Sequence, residues 1–194
     1  MKTKILGLLA LGLLAGQAMV QSSDAAIIYQ DLTPTGILPS PSGISRNFLS
    51  GSGPGNIAFE IQGYLSLDGV NCCTDTFSFF ADSNLLFQGA FDLGGGGTDV
   101  VTVNTNGATY TAVSFGFFNG GLLTVSVPIV LGAGSHVITF DYSGAFQGLG
   151  DEGWGLNRVV VEGTPPRHVP EPASLALLGL GLAGLGLSRR RKAA

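Results

Sequence analysis

Hydrophobic and polar residues alternate with a period of two through most of the middle of the chain. In the stretch 57–67, apolar residues occupy the odd positions except Gly63, and mostly polar residues occupy the even positions. Because successive side chains of a β-strand point to opposite faces of a sheet, this pattern predicts a strand with one buried face. Similar apolar runs are found at 77–81, 85–91, 109–117, 122–130, 135–142 and 154–162. We find no stretch with the 3.6-residue period of an amphipathic helix.

Turn residues separate the predicted strands. Asp82-Ser83-Asn84 predicts one turn, and Asn119-Gly120-Gly121 provides residues that accept the positive φ of a tight hairpin. The segment 33–55 contains four prolines with many serines and glycines, and it is predicted to be loop. Seven to nine short strands in about 137 residues predict an all-β domain over residues 26–163, an antiparallel β-sandwich with the jelly roll as first choice.

An apolar run precedes this domain. Two lysines stand before the run 5–15, and small residues follow at Ser23-Asp24-Ala25. This order is typical of a secretory signal peptide, which would cover residues 1–25 as a helix and be removed by signal peptidase; small residues at 16–18 offer a second cleavage position. The run spans only roughly 16 Å as a helix, well short of the roughly 30 Å hydrocarbon core of a bilayer. The sequence therefore predicts export.

A second apolar run follows the domain. The linker 164–172 ends in Val169-Pro170-Glu171-Pro172, the segment 173–188 is apolar or small, and the tail 189–194 begins with a basic cluster, which consists of Arg189, Arg190, Arg191 and Lys192. As a helix the apolar run is roughly 22 Å long, a marginal span for a bilayer. Because basic clusters stay on the cytoplasmic side, we predict a transmembrane helix at 173–188 with the body outside and the tail inside.

The three parts of this C-terminal end together resemble the PEP-CTERM sorting signal of exported bacterial proteins. In that family a membrane-embedded, cysteine-dependent transpeptidase called exosortase is understood to recognise the Pro-Glu-Pro element and to release or transfer the body. The resemblance implies a Gram-negative cell that often makes exopolysaccharide. It also implies transient anchoring in the inner membrane and a final place at the cell surface or in the extracellular matrix. Physical chemistry agrees, because Pro170 and Pro172 keep the segment extended and outside the following helix.

The charge of the body excludes one class of partner. Between Ala26 and Pro170 there are eleven acidic residues and three arginines but no lysine, a net charge of −8 (three minus eleven). Such a body has no basic patch that would release counterions from a phosphate backbone. We therefore expect no nucleic-acid binding.

Cys72 and Cys73 are the only cysteines of the chain. In an oxidising compartment, two neighbouring thiols have three outcomes: a strained ring formed by a bond between them, bridges to other molecules, or free thiols. The ring is strained because bonded cysteines prefer a Cα separation of roughly 5.5 Å, whereas trans neighbours are roughly 3.8 Å apart. We expect the ring, which would act as a rigid turn before the strand at Phe77 or as an apolar ledge for a sugar.

We expect no bound cofactor, and calcium is the candidate if a metal binds. Either Asp68 and Asn71 with Asp75, or Asp92 with Asp99, would supply oxygen ligands, but neither stretch has the full spacing of a calcium loop. The alternative is that these are solvated turn residues. Zinc is not expected, since His136 lies in phase with a strand and is assigned to packing.

No catalytic constellation is present in the sequence. The motifs G-x-S-x-G and H-E-x-x-H do not occur, and the glycine run 94–97 lacks the Lys-Ser/Thr ending of a phosphate-binding loop. Asp151 and Glu152 are neighbours, so in a strand they point to opposite faces and do not form a facing pair. We therefore expect a protein that is not an enzyme.

The segment 151–161 resembles the closing strand of jelly-roll carbohydrate-binding modules, although this chain has Asn157 where that pattern usually has Asp. The candidate ligand-binding residues are Trp154 as a stacking platform with Asp151, Glu152 and Asn157 as hydroxyl partners; the alternative for Trp154 is core packing. The functional hypothesis is a non-catalytic, exosortase-processed surface or matrix protein that binds polysaccharide or assembles with other matrix components. A secreted hydrolase-like module and an ice- or surface-adhesion protein are the alternatives.

Overall fold

The computed structural model describes residues 25–145 and 147–166, and this part of the chain contains ten β-strands and no α-helix. The strands are β1 (Ala26–Asp31), β2 (Ser42–Ser50), β3 (Gly53–Leu65), β4 (Thr76–Ala81), β5 (Asn84–Ala90), β6 (Val100–Asn104), β7 (Thr109–Ser114), β8 (Gly121–Leu131), β9 (Gly134–Ser143) and β10 (Glu152–Gly163). The all-β expectation is confirmed for these residues.

The strands form two antiparallel sheets of five strands each. Sheet 1 has the order β1-β10-β3-β8-β7, and sheet 2 has the order β2-β9-β4-β5-β6. The core lies between them: Phe59 of sheet 1 is fully buried, and its ring centroid is 4.8 Å from that of Phe79 and 5.0 Å from that of Phe140, both in sheet 2. The alternation of apolar residues along β3 therefore produces the expected buried face, and the architecture is sandwich-like.

The prediction that 33–55 is loop is wrong, because this segment contains β2 and the start of β3. In β2 the positions that alternate toward the interior include polar residues, so the strand lacks a continuous apolar face. One of them is Arg46, whose Nε donates a hydrogen bond to Asp31 Oδ2 of β1 at 2.7 Å. A residue of β1, a strand of the other sheet, thus compensates the polar residue that interrupts the apolar pattern of β2.

The two predicted turns have different outcomes. Asp82 and Ser83 have φ of 48° and 66° and close a two-residue hairpin between β4 and β5, as the sequence predicts. The tight hairpin expected at Asn119-Gly120-Gly121 is instead a longer loop, residues 115–120, closed by a hydrogen bond from Phe115 N–H to the Gly120 carbonyl at 2.9 Å. This loop reaches the glycine run, since Phe118 N–H donates to the Gly94 carbonyl at 2.8 Å.

The predicted signal peptide and the predicted transmembrane helix at 173–188 fall outside the described residues, apart from Ala25. Within 25–145 and 147–166 there is no helix of sufficient length and apolar character to cross a membrane.

Candidate functional site

The loop between β3 and β4 holds two aspartates in a closed arrangement. Asp75 N–H donates to the Asp68 carbonyl at 3.1 Å, and Asp68 N–H donates to Asp75 Oδ2 at 3.0 Å. The Ser40 hydroxyl donates to the other Asp75 carboxylate oxygen at 3.1 Å. These reciprocal bonds fix the two residues relative to each other across seven positions of sequence.

Glu152 adds a third carboxylate from a distant part of the chain. It is the first residue of β10 and pairs with Leu65 at the end of β3, which places it beside the loop. One oxygen from each of Asp68, Asp75 and Glu152 can be chosen so that all three lie within 4.8 Å of one another. The exposed fractions of the residues are 7%, 1% and 0% respectively. We call these three residues the acidic cluster.

The electrostatics of the acidic cluster are those of buried like charges. Burial, followed by the charge of Asp75 and of other nearby aspartates, raises the pKa of Glu152 to about 7. Burial also raises the pKa of Asp75, although its hydrogen bonds from Asp68 N–H and Ser40 act in the opposite direction. Glu152 Oε1 accepts a hydrogen bond from Gln147 Nε2, whereas Glu152 Oε2 has no hydrogen-bond partner.

The glycine run packs against the acidic cluster and has a structural role in this chain. Asp68 and Gly96 form a parallel bridge, and Gly69 N–H donates to the Gly96 carbonyl at 2.9 Å. A Cβ at Gly95 would lie 2.7 Å from the Asp68 carboxyl carbon, so only glycine leaves room for this carboxylate. Asp92 Oδ1 accepts hydrogen bonds from the Gly94 and Gly96 N–H groups.

The two aspartates of the second candidate calcium stretch therefore hold a loop. Asp99 Oδ1 accepts a hydrogen bond from Asp92 N–H at 2.7 Å, and Asp92 in turn caps the glycine run. Among the described residues, the acidic cluster is the group of three or more side chains placed to share an ion, and neither Asp92 nor Asp99 belongs to it.

A groove of about 270 Å³ opens next to the acidic cluster. Its two aromatic side chains are both exposed, Phe117 by 73% and Phe118 by 43%, and their ring centroids are 4.7 Å apart. Polar side chains lie on other parts of its wall, and the lining residues include Asp68, Asn71, Gln147 and Asp151. An exposed aromatic face therefore stands beside groups that can hydrogen-bond hydroxyls.

Cys72 and Cys73 also line this groove, and their sulfur atoms are 2.9 Å apart without a bond between them. The hydrogen bond with Cys72, burial and nearby negative charges raise the pKa of the Cys73 thiol to about 11. The ring between these residues stays a prediction.

Trp154, the expected stacking platform, is a core residue. It is 0% exposed, its ring centroid is 5.4 Å from that of Tyr142, and its Nε1–H donates to Ser42 Oγ at 2.9 Å and to the Pro39 carbonyl at 3.2 Å. No face of the indole is available to a ligand, so the expectation of a Trp154 platform is wrong and the alternative of core packing holds.

The other three candidates for ligand binding do not all line the groove. Asp151 lines the groove and its Oδ1 accepts a hydrogen bond from Ser66, while Glu152 is buried in the acidic cluster. Asn157 lies at a bulge of β10, five residues beyond Glu152 and roughly 16 Å along an extended strand. The structure therefore does not bring Asn157 to the groove.

The C-terminal segment is the part of the chain for which comparison with known proteins gives a result. Residues 168–192 match the family model of the PEP-CTERM protein-sorting motif. No curated protein matches the chain. The match confirms the resemblance of the C-terminal end and indicates an exported protein that exosortase processes and that is directed to the cell surface. It concerns 25 residues that follow the described domain.

Proposed function

We propose that the β-sandwich of this exported, exosortase-targeted protein is a non-catalytic module that binds extracellular polysaccharide in the groove. The observation that carries the proposal is the exposed pair Phe117 and Phe118 beside a wall of carboxylate and amide side chains. Sugar rings present apolar C–H faces and hydroxyl edges, so a site for them needs both kinds of surface. The proposal transfers the expected stacking role from Trp154 to the loop 115–120.

The strand order supports a jelly-roll assignment for the module. Without β6 and β7, the two sheets read β1-β10-β3-β8 and β2-β9-β4-β5, so that the first three strands alternate between the sheets and the last strand lies beside the first. This is the arrangement of a double-sheet jelly roll with an inserted pair of strands. The inserted β7 leads into the loop that carries Phe117 and Phe118.

The hydrolase alternative is disfavoured by the burial of Glu152 and Asp75, the two carboxylates of the acidic cluster whose pKa is raised. Glu152 and Asp75 are 0% and 1% exposed, so neither is placed to protonate a bound glycoside. Asp151 and Asn71 line the groove, and Asp151 accepts a hydrogen bond from Ser66. A binding role uses these groups as hydroxyl partners and needs no acid with a raised pKa.

The proposal is tested by the change Phe117→Ala with Phe115→Ala as control. Phe115 is also exposed and lies in the same loop, but it does not line the groove. We expect Phe117→Ala to weaken retention on the native extracellular polysaccharide several-fold, since such stacking contributes about 1 kcal/mol. Because Phe117 is 73% exposed, the substitution should change the free energy of unfolding of the protein by less than about 0.5 kcal/mol.

Co-sedimentation with the polysaccharide and thermal melting are the two measurements. Equal retention of the wild type, Phe117→Ala and Phe115→Ala would contradict binding in the groove. If Phe117→Ala retains the polysaccharide but loses an oligomeric state of the wild type in size-exclusion chromatography, the aromatic pair serves assembly with other copies and the polysaccharide proposal is wrong.

A further inference from the structure

The acidic cluster lacks a cationic side chain to balance it. Three buried carboxylates are costly unless a positive charge or protons compensate them. The described residues contain two arginines, and each lies near another carboxylate: Arg46 contacts Asp31 at 2.7 Å and Arg158 contacts Glu60 at 3.5 Å. His136 contacts Asp82. The charge of the cluster must therefore be balanced by something other than these side chains.

Two buried polar atoms near the cluster lack hydrogen-bond partners. One is Glu152 Oε2, in a residue that is 0% exposed, and the other is the hydroxyl oxygen of Tyr142, in a residue that is 1% exposed. Tyr142 pairs with Phe77, two residues after Asp75, and its ring centroid is 5.4 Å from that of Trp154, two residues after Glu152, so Tyr142 lies beside the cluster. Orphaned buried polar atoms are rare in native proteins and indicate a water or an ion at the position they face.

We propose that Asp68, Asp75 and Glu152 bind one calcium ion. The ligand atoms are anionic oxygens, which hard divalent cations prefer. Each pair of these atoms lies within 4.8 Å, and two oxygens on opposite sides of a calcium ion, at about 2.4 Å each, are about 4.8 Å apart. The reciprocal hydrogen bonds of Asp68 and Asp75 hold two of the ligands in place without the ion.

The same features select calcium over other metals. Magnesium requires distances of about 2.0–2.1 Å in a near-ideal octahedron and retains much of its water, whereas calcium accepts irregular sets of six to eight oxygens. Three carboxylates offer up to six oxygens, although all three also accept hydrogen bonds. Zinc prefers nitrogen and sulfur ligands, whereas the three ligands of the acidic cluster are carboxylates.

Bound calcium would join two parts of the fold. Asp68 and Asp75 belong to the β3–β4 loop, whereas Glu152 begins β10. That loop also carries Asn71, Cys72 and Cys73, which line the groove. The ion would therefore hold one wall of the groove against the closing strand. The calcium site does not depend on the proposed polysaccharide binding, and its test uses the metal alone.

The test titrates calcium chloride or magnesium chloride into the full-length chain, purified in detergent and freed of metal with EGTA. Binding is measured by calorimetry, and thermal unfolding is followed by the fluorescence of Trp154, the one tryptophan of the chain and two residues from Glu152. We expect one calcium per chain with half-saturation at about 0.1–1 mM, the range of extracellular calcium modules. At 10 mM calcium the Tm should rise by about 5 °C, with a much smaller effect of magnesium.

Three variants assign the binding to the acidic cluster. Glu152→Gln removes a buried charge, so without calcium its Tm should equal or exceed that of the wild type, while its calcium affinity should fall by at least about tenfold. Gly95→Ala changes no charge but adds a methyl group 2.7 Å from the Asp68 carboxyl carbon, and it should also weaken binding. Glu162→Gln changes an exposed glutamate of the same strand and should behave like the wild type.

A calcium response that survives in Glu152→Gln would overturn the proposal, as would the absence of any binding by the wild type at 10 mM calcium. An equal response to calcium and magnesium would overturn the assignment to calcium. Equal polysaccharide retention of the wild type and Phe117→Ala, together with normal calcium binding, would contradict the polysaccharide proposal alone, so failures of the two proposals are distinguishable.

Discussion

At the scale of single residues, Trp154 offers a direct test of the core. Its side chain is fully buried between the sheets and its indole N–H is hydrogen-bonded. We expect Trp154→Ala to lower the free energy of unfolding by about 3–5 kcal/mol, because it leaves a large cavity and removes the hydrogen bonds of the indole N–H. Trp154→Phe should cost less, since most of the volume remains. Denaturant unfolding followed by circular dichroism measures both changes.

Polysaccharide binding is the second property to measure for Trp154→Phe. A folded Trp154→Phe protein should retain polysaccharide as well as the wild type, because the indole offers no face to a ligand. If Trp154→Ala unfolds at the same denaturant concentration as the wild type, the core placement is contradicted.

The contrast between Trp154 and Phe117 shows why the sequence does not identify the aromatic residue of the groove. Both residues are large and apolar, and composition favours burial of each. Trp154 is buried because Ser42 and Pro39 satisfy its N–H from a segment more than a hundred residues away. Phe117 is exposed because the loop 115–120 is longer than the hairpin that its glycines predict. Neither long-range contact nor loop length is encoded in a local pattern.

At the scale of elements, His136 on β9 connects two parts of sheet 2. It stacks on Phe48 of β2 with ring centroids 5.4 Å apart, and its Nδ1 contacts Asp82 Oδ2 in the β4–β5 turn at 2.6 Å. Burial lowers the pKa of His136, but the hydrogen bond and charge of Asp82 and the Gly132 carbonyl outweigh it, so the pKa is raised above 6.5. Burial acts to raise the pKa of Asp82. The interactions with His136 and the Val137 N–H outweigh burial, so the pKa of Asp82 is lowered.

These directions determine a pH dependence of stability. The contribution of His136 is fully present below pH 6.5 and is lost as the pH rises through its folded pKa, whereas that of Asp82 is present above pH 3.8 and is lost as the pH falls. We expect Asp82→Asn to reduce the free energy of unfolding by about 0.5–1 kcal/mol between pH 5 and 6, and by less as the pH rises above 6.5. Asparagine tolerates the positive φ of this turn.

The measurement is the difference between the unfolding free energies of the wild type and Asp82→Asn from pH 5 to 8. The difference is needed because Glu152 also titrates in this range, with a pKa of about 7, and it affects both proteins equally. A difference that is constant across the range would contradict the His136–Asp82 interaction.

Elements with a continuous apolar alternation are the ones that the sequence predicts. β3 and β8 are central strands in which every second residue faces the core, and these core-facing positions are apolar. Both strands are found where the pattern predicts them. β2 is an edge strand with one neighbour, β9, and it has Arg46 and Ser50 at inward-alternating positions. Polar residues at an edge are compensated by contacts that only the folded chain supplies, so the sequence pattern of β2 predicts a loop.

At the scale of the whole molecule, the candidate site is assembled from parts that are distant in sequence. Asp68 and Asp75 are visible as a candidate calcium stretch, but the third ligand, Glu152, comes from a strand that begins 77 positions after Asp75. The sequence contains no signal that β10 starts beside the β3–β4 loop. That arrangement follows from the pairing of β10 with β3, which is a property of the topology.

The C-terminal end carries a local motif that is identified from the sequence alone, and it leads to a prediction that does not depend on the fold. The match at 168–192 contains Pro170-Glu171-Pro172 and the basic cluster. In the native host we expect the wild-type protein at the cell surface to lack residues 189–194. Changing Pro170, Glu171 and Pro172 to alanine, or deleting 189–192, should leave nearly all of the chain uncleaved at its C-terminal end. Export itself should be unchanged, because it depends on the N-terminal end.

The control for this experiment is the change of Pro165 and Pro166 to alanine, which alters two prolines of the same linker outside the matched segment. If chain stiffness alone were required, this control would also block processing, since proline restrains its own φ and the preceding residue. We expect normal processing, because recognition requires Glu171 in its proline frame. Mass spectrometry of surface protein decides the outcome: a wild-type chain that still carries 189–194 would contradict processing by exosortase.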